Sequence, residues 1–565
     1  MLRFALLLCC CGVVLTAAED SPKIKKYVQD GGELGRYWTV DAPGPLADPV
    51  AAPDPSAFGE LGKRIKSEQI DGWVAALVDR IEAHYRDKAD ASAVAWLEQH
   101  PDIRKAFWLS LDWTYDEIPA ATAVLAKLIA HDEQRVINFY HLAIAMAVVF
   151  DSDDALYSSR ICNLWAVVPS QMPPLPEMLE IFDYFTSEEN QSRFVYPPDK
   201  LVWPLLVHLV DCDLPESERD WVHQKFPRKE ADYGYTYKMV PYDYDKLNRT
   251  PKLGTKPYVL ANLLQYGGVC VDQAHFSSRV MKTLGVPAIK VSGDGRYGGA
   301  GHAWTGYLSV NGRNASFGFT GRYNFDYFYT GDVFDPKTRT ETLDRAMAMD
   351  LDAALLDYGA FVDAGALTRI AHSIMRADPA LSLRLTELAL ERNYYVADAW
   401  RLLIDHLVAG TLDAKAGKKW LGTMVKQLEG HPDITWPCLS RALDPICGDS
   451  QKDRQKLYEL LAPLYAKRPD LQIALRRAQM GELFAAGAAD AAINCAAQTL
   501  LANADQGTEI LPLVEAVVED GRARPEPQRE VIRKMLEQVD RDFPKKRGNS
   551  PSEAYAEFRK LVDSL

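Results

Sequence analysis

No two cysteines in this chain stand in C-x-x-C spacing, which excludes the zinc and redox sites built on that pattern. Nine cysteines among 565 residues, three of them crowded at Cys9, Cys10 and Cys11, are also too few for a disulfide scaffold. Basic stretches are missing apart from Pro544-Lys545-Lys546-Arg547, a run expected in a solvated linker. With a formal net charge of -14, the chain is therefore poorly suited to nucleic acid or anionic membrane surfaces. Past the N-terminus no apolar run is long enough to span a bilayer. Leu142 to Phe150, with three alanines, reads as a buried core helix. What the chain does have is 47% hydrophobic and 25% charged residues, the balance of a folded protein of roughly three or four domains.

The first residues carry a different signal. Met1 to Arg3 make a short basic start, Phe4 to Leu15 an apolar run, and Thr16-Ala17-Ala18 a small-residue end before Glu19-Asp20. This is the pattern of a secretory signal peptide cleaved after Ala18, so residues 1–18 are expected to be removed and the protein exported, periplasmic or extracellular. Leucines rather than small residues precede Cys9, which argues against lipid attachment. Residues 19–56, with Gly31-Gly32 and Pro53-Asp54-Pro55, read as a linker. Of the six remaining cysteines, Cys438 and Cys447 are close enough in sequence to suggest a local disulfide.

Residues 57–230 read as helical, with Ile70, Val74, Leu77, Val78 and Ile81 on one stripe and Pro173, Pro174 and Pro176 interrupting the region. Residues 231–345 gain Gly, Tyr and strand-like alternation. Residues 346–565 return to helix. Leu381 to Asn393 followed by Val396 to Trp400 is similar to the helix-turn-helix of tetratricopeptide repeats, and Leu471 to Ala486 with Ala489 to Leu501 suggests another pair; a plain helical bundle fits as well. The fold class expected is α+β: a mostly helical chain around one central mixed domain.

The chemistry concentrates in that central segment. Val271, Ala274, Phe276 or Ser277, Met281 and Leu284 form a helical stripe, and Gly285 is a natural C-terminal cap. Cys270 therefore starts a helix, where unpaired N–H groups and the dipole favour a thiolate. Pro287 to Val291 reads as a strand, and His302 begins another, closed by Asn311-Gly312 as a two-residue hairpin turn. That turn sets Val310 opposite Arg313 and Trp304 opposite Phe319. Gly293-Asp294-Gly295-Arg296-Tyr297-Gly298 fits G-x-G-x-x-G, but a strand and not a helix follows, so no dinucleotide site is expected. His275 diverges from Cys270 on their shared helix and is excluded as its base. Asp272 is a first-turn carboxylate complementing the dipole. The cluster Tyr323, Phe325, Tyr327, Phe328 and Tyr329 reads first as packing, with a platform for sugars or extended peptide as the alternative.

Gly268-Val-Cys270-Val-Asp272-Gln-Ala274, Leu284-Gly-Val-Pro-Ala288 and His302-Ala-Trp304 together resemble the transglutaminase-like superfamily, with its papain-type Cys–His core. The resemblance covers about residues 258–326. It implies Cys270 on a helix N-terminus packed against an antiparallel sheet, acting as nucleophile with His302 as general base. The product would be a thioester, resolved by water or an amine, giving peptidase, amidase or cross-linking activity on a protein or peptide substrate. The family also places an Asp on the strand paired with the His strand, and here Phe317, Gly318, Phe319 and Thr320 offer none. Asp326 could reach back if Gly321 bends the strand, Asn314 is the alternative nearer the turn, or the Cys–His pair works alone. Gln265, or Tyr266, would assist the Cys270 N–H as oxyanion donor. No metal or organic cofactor is expected. The competing reading is an inactive scaffold on the same fold that uses its C-terminal helices for protein contacts.

Overall fold

The structure, a computed structural model, describes residues 70–565 except 114, 153–155, 157–166, 168, 228–231, 296–298, 312–313, 323–329 and 548–549. The signal peptide and linker assignments fall outside the described residues, as do Asp326 and the aromatic cluster of residues 323–329. Contacts divide the chain into two compact units. The first holds the described residues up to Ser292 with Ala303–Arg322 and Thr330–Leu403; the second holds Gly293–His302 and Ile404–Leu565.

The architecture is α+β, mostly helical, with a small antiparallel sheet. In the first unit the helix Ile70–Tyr85 buries Trp73, Val74, Leu77, Val78 and Ile81 along the stripe read from sequence. The helix Tyr140–Val149 buries every residue from Leu142 to Val149. No helix among the described residues is long and apolar enough to cross a membrane.

Five strands follow: β1 (Ala288–Gly295), β2 (Gly299–Asn311), β3 (Asn314–Thr320), β4 (Asp332–Asp335) and β5 (Thr340–Leu343), in the order β3-β2-β1-β4-β5. The G-x-G-x-x-G segment indeed leads from strand to strand. One register differs from the sequence reading. Asn311 pairs with Asn314, Val310 with Ala315 and Gly306 with Phe319, so Asn311 belongs to the strand ladder and not to the turn. The Asn-Gly preference for turns is a local bias, whereas the register is set by what the whole hairpin packs against. Here the Phe317 amide donates to Asp352 of the helix Asp344–Leu356 at 2.7 Å, and Phe317 itself is buried.

Polar ties run from the sheet and the following helices back to the N-terminal helices. Arg369 donates to the Leu109 carbonyl at 2.8 Å, Arg339 pairs with Asp151, and Lys337 with Asp116 at 3.3 Å. Asp116 accepts from the Asp112 amide at 2.7 Å as well, yet its burial outweighs these partners and pushes its carboxyl up to about 6. A folded-state value above the unfolded one means the native chain holds this proton more tightly. The stability it contributes is present at about pH 4 and lost as pH rises toward 6, by on the order of 3 kcal/mol. Urea melts at pH 4 and pH 7 should show that loss in the parent relative to Asp116→Asn. Equal pH slopes in the two proteins would refute it.

The second unit has its own apolar core, drawn from Ile473 to Phe558, with Leu500, Ile510, Val514, Val517 and Leu536 fully or almost fully buried. The helices Pro469–Ala485 and Ala489–Ala502 match the expected pair, as Pro379–Arg392 and Ala397–Val408 match the earlier one. Two expectations are corrected. Lys546-Arg547 is not linker but a two-residue strand, antiparallel to Ser550-Pro551. Cys438 and Cys447 form no disulfide: they sit on one helix, Pro432–Cys447, nine residues and roughly 13 Å of rise apart, well beyond disulfide reach.

Candidate functional site at the start of the Cys270 helix

The lead-in to Cys270 is shaped by two glycines. Gly267 ends the helix Leu260–Tyr266 at φ 83°, and a Cβ there would lie 2.5 Å from the Pro241 carbonyl oxygen. Gly268 lies beside Tyr242, donating to Pro241 at 2.9 Å and accepting from Asp243 at 2.8 Å. A Cβ on Gly268 would fall 2.4 Å from that of Asp272. The space is taken because the Asp272 carboxylate turns back to accept the Val269 amide at 2.7 Å, satisfying one of the donors orphaned at the helix start. Gly268, Cys270 and Asp272 are thus one steric unit: the cap needs the glycine, and the cap fixes where the cysteine begins the helix. Gly268→Ala should cost about 1–3 kcal/mol through overpacking, read as a lower urea midpoint. A variant as stable as the parent would show that the cap yields freely.

Asp272 does more than complement the dipole. It is fully buried, and Lys246 from the short helix Tyr244–Leu247 reaches both its oxygens at 2.8 and 2.9 Å while the Tyr258 hydroxyl donates at 2.7 Å. The rest of the helix Cys270–Thr283 departs from the one-sided stripe read from sequence. Every residue from Asp272 to Thr283 is buried. Its cations are matched by carboxylates from a distant segment, Arg279 to Asp213 at 2.7 Å and Lys282 to Asp211. The C-terminus follows expectation. Gly285 takes φ 78°, its amide meeting the Lys282 carbonyl and that of Val286 the Met281 carbonyl, a Schellman motif.

Cys270 itself is partly exposed. Burial pushes its thiol up, and Asp272 adds to this. The backbone of Ala303 and Val271, hydrogen-bonded to the sulfur, and the Lys290 charge on β1 oppose the rise without reversing it. The helix-start amide of Val271 acts toward the thiolate, as the sequence leads one to expect, but desolvation outweighs it. Ala303 on β2 packs with Tyr237, Ala274, Cys270 and Val271, and the Tyr237 hydroxyl donates to its carbonyl at 2.6 Å. Two residues on, Thr305 donates to the Ala274 carbonyl at 3.4 Å. His302, buried, is the residue immediately before Ala303.

Of the other expected residues, Asn314 is exposed at the first pair of the hairpin, and Gln265 is exposed on the helix before Cys270. Tyr266 is partly buried with the Lys256 ammonium 4.6 Å above its ring. His275 is buried, its ring centre 5.2 Å from that of Tyr258. Sequence reasoning missed Asp344. This buried carboxylate accepts from Trp304 at 3.3 Å and the Gly331 amide at 3.1 Å and pairs with Arg322, whose guanidinium lies 4.8 Å over the Trp304 ring. Lys246, Tyr258 and Lys290 were missed too, because nothing local to their sequence marks them. Comparison of the chain with protein-family models, curated proteins and solved structures finds no match.

Proposed function

We propose that this protein is an exported thiol enzyme of transglutaminase-like type, forming a thioester at Cys270 with peptide or amide carbonyls and passing the acyl group to water or an amine. The observation that carries the reading is the packing of Cys270 against the cluster that holds Ala303, the strand residue next to His302. A thiol raised by burial needs a base, and His302 is assigned that role. Asp326 is assigned to hold the imidazole tautomer, because Asn314, the alternative, is exposed beside the turn. The Cys270 N–H would serve the developing oxyanion, with Gln265 or Tyr266 as the second donor.

A specific observation supports the second reading, a non-catalytic binding protein on the same fold: the environment of Cys270 favours its protonated form. An activated ester separates the two. Incubated with p-nitrophenyl acetate, the enzyme should acquire an acetyl group on Cys270, absent from Cys270→Ser and slow to appear in His302→Ala. Acetylation of other residues alone, or equal rates in parent and His302→Ala, would favour the binding protein.

A further inference from the structure

We propose that Lys246 is a positioning residue for the Cys270 thiol, cancelling the charge of the helix-capping carboxylate Asp272 so that the cap and a thiolate can coexist two residues apart. The inference rests on the thiol reading above and adds a residue to it.

A physical conflict is built into the start of this helix. The cap requires a carboxylate, because Asp272 accepts the Val269 amide at 2.7 Å and the Tyr258 hydroxyl at 2.7 Å. A nucleophile requires a second negative charge on the sulfur two residues earlier. Two like charges in a site shielded from water oppose each other far more strongly than in solvent. Among the groups that shift the Cys270 thiol, Asp272 acts against the thiolate.

Lys246 resolves the conflict. Its ammonium lies 2.8 and 2.9 Å from the two carboxylate oxygens, with 4% of its side chain exposed against 0% for Asp272. It comes from a separate four-residue helix, Tyr244–Leu247, whose Tyr244 and Leu247 face solvent, so the lysine is the inward-pointing group of that segment. The segment is pinned beside the same glycine that admits the cap, through the Asp243 amide on the Gly268 carbonyl. The other ionisable groups placed about the thiol are Lys290 on β1 and Tyr237 from the preceding segment. Of these only Lys290 carries a permanent positive charge, and it belongs to the sheet rather than to the cap.

The test is the pH profile of Cys270 alkylation by iodoacetamide, read on the Cys270 peptide by mass spectrometry between pH 5 and 10. It compares the parent, Lys246→Met and the charge-balanced Lys246→Met/Asp272→Asn. Lys246→Met should move the profile to higher pH by about one unit, a roughly tenfold lower rate on the rising limb. The double variant should return to within about twofold of the parent. A folded Lys246→Met with the parent's profile overturns the proposal. If that variant does not fold, Asp272→Asn is read instead: the retained lysine should move the profile to lower pH, and an unchanged or upward-shifted profile overturns the proposal. The thiol reading fails separately, through His302→Ala in the ester assay, since a charge effect on the sulfur is measurable whether or not the chain turns over substrate.

Discussion

Asp213→Ala is expected to destabilise the fold by about 3–5 kcal/mol, a loss that a urea melt would register as a large drop in midpoint. The Arg279 side chain is 2% exposed and that of Asp213 1%, with Nε to Oδ1 at 2.7 Å. Removing the carboxylate strands a guanidinium in the middle of the molecule, and the cost is that of an unpaired buried charge rather than of one hydrogen bond. Asp211 nearby, already paired with Lys282, offsets only part of it. Replacing both partners, as in Asp213→Leu/Arg279→Met, should therefore cost much less than the single change. A single-variant cost below about 1 kcal/mol is the behaviour of an exposed pair and would contradict the buried helix described above.

His302→Ala is expected to lower turnover by about 10²–10⁴-fold, the range for losing a general base, with a much smaller change in KM. Desolvation holds the proton on Cys270, and the helix-start amides do not remove it. Without an imidazole to receive that proton, little thiolate exists near neutral pH and attack on a carbonyl is slow. A fall in kcat of less than about threefold would remove His302 from the chemistry.

The parts of the fold that were legible in sequence are those fixed by local stereochemistry. Gly285 announces a helix end because the Schellman geometry requires its positive φ, and Pro287 to Val291 announces a strand by composition and length. The Gly268-x-Cys270-x-Asp272 spacing was legible as a resemblance, and the structure supplies its physical reason in a cap that leaves no room for a Cβ. What failed was local pattern applied to partners distant in sequence. The stripe gave no sign that the polar residues of the Cys270 helix are buried too, because the carboxylates that match Arg279 and Lys282, Asp213 and Asp211, lie 66 and 71 residues earlier. The hairpin register slipped because Asn311-Gly312 is a strong local turn signal, while the observed pairing sets Asn311 opposite Asn314. The thiolate expectation counted the helix dipole and omitted desolvation.

The most direct measurement is the rate of Cys270 alkylation by iodoacetamide across pH 5–8 in the parent and in His302→Ala. The account predicts appreciable labelling below pH 7 in the parent, where a thiolate exists only because an imidazole has taken its proton, and labelling confined to alkaline pH in the variant. Two superimposable profiles, both rising only at alkaline pH, would mean that sulfur and imidazole do not act together.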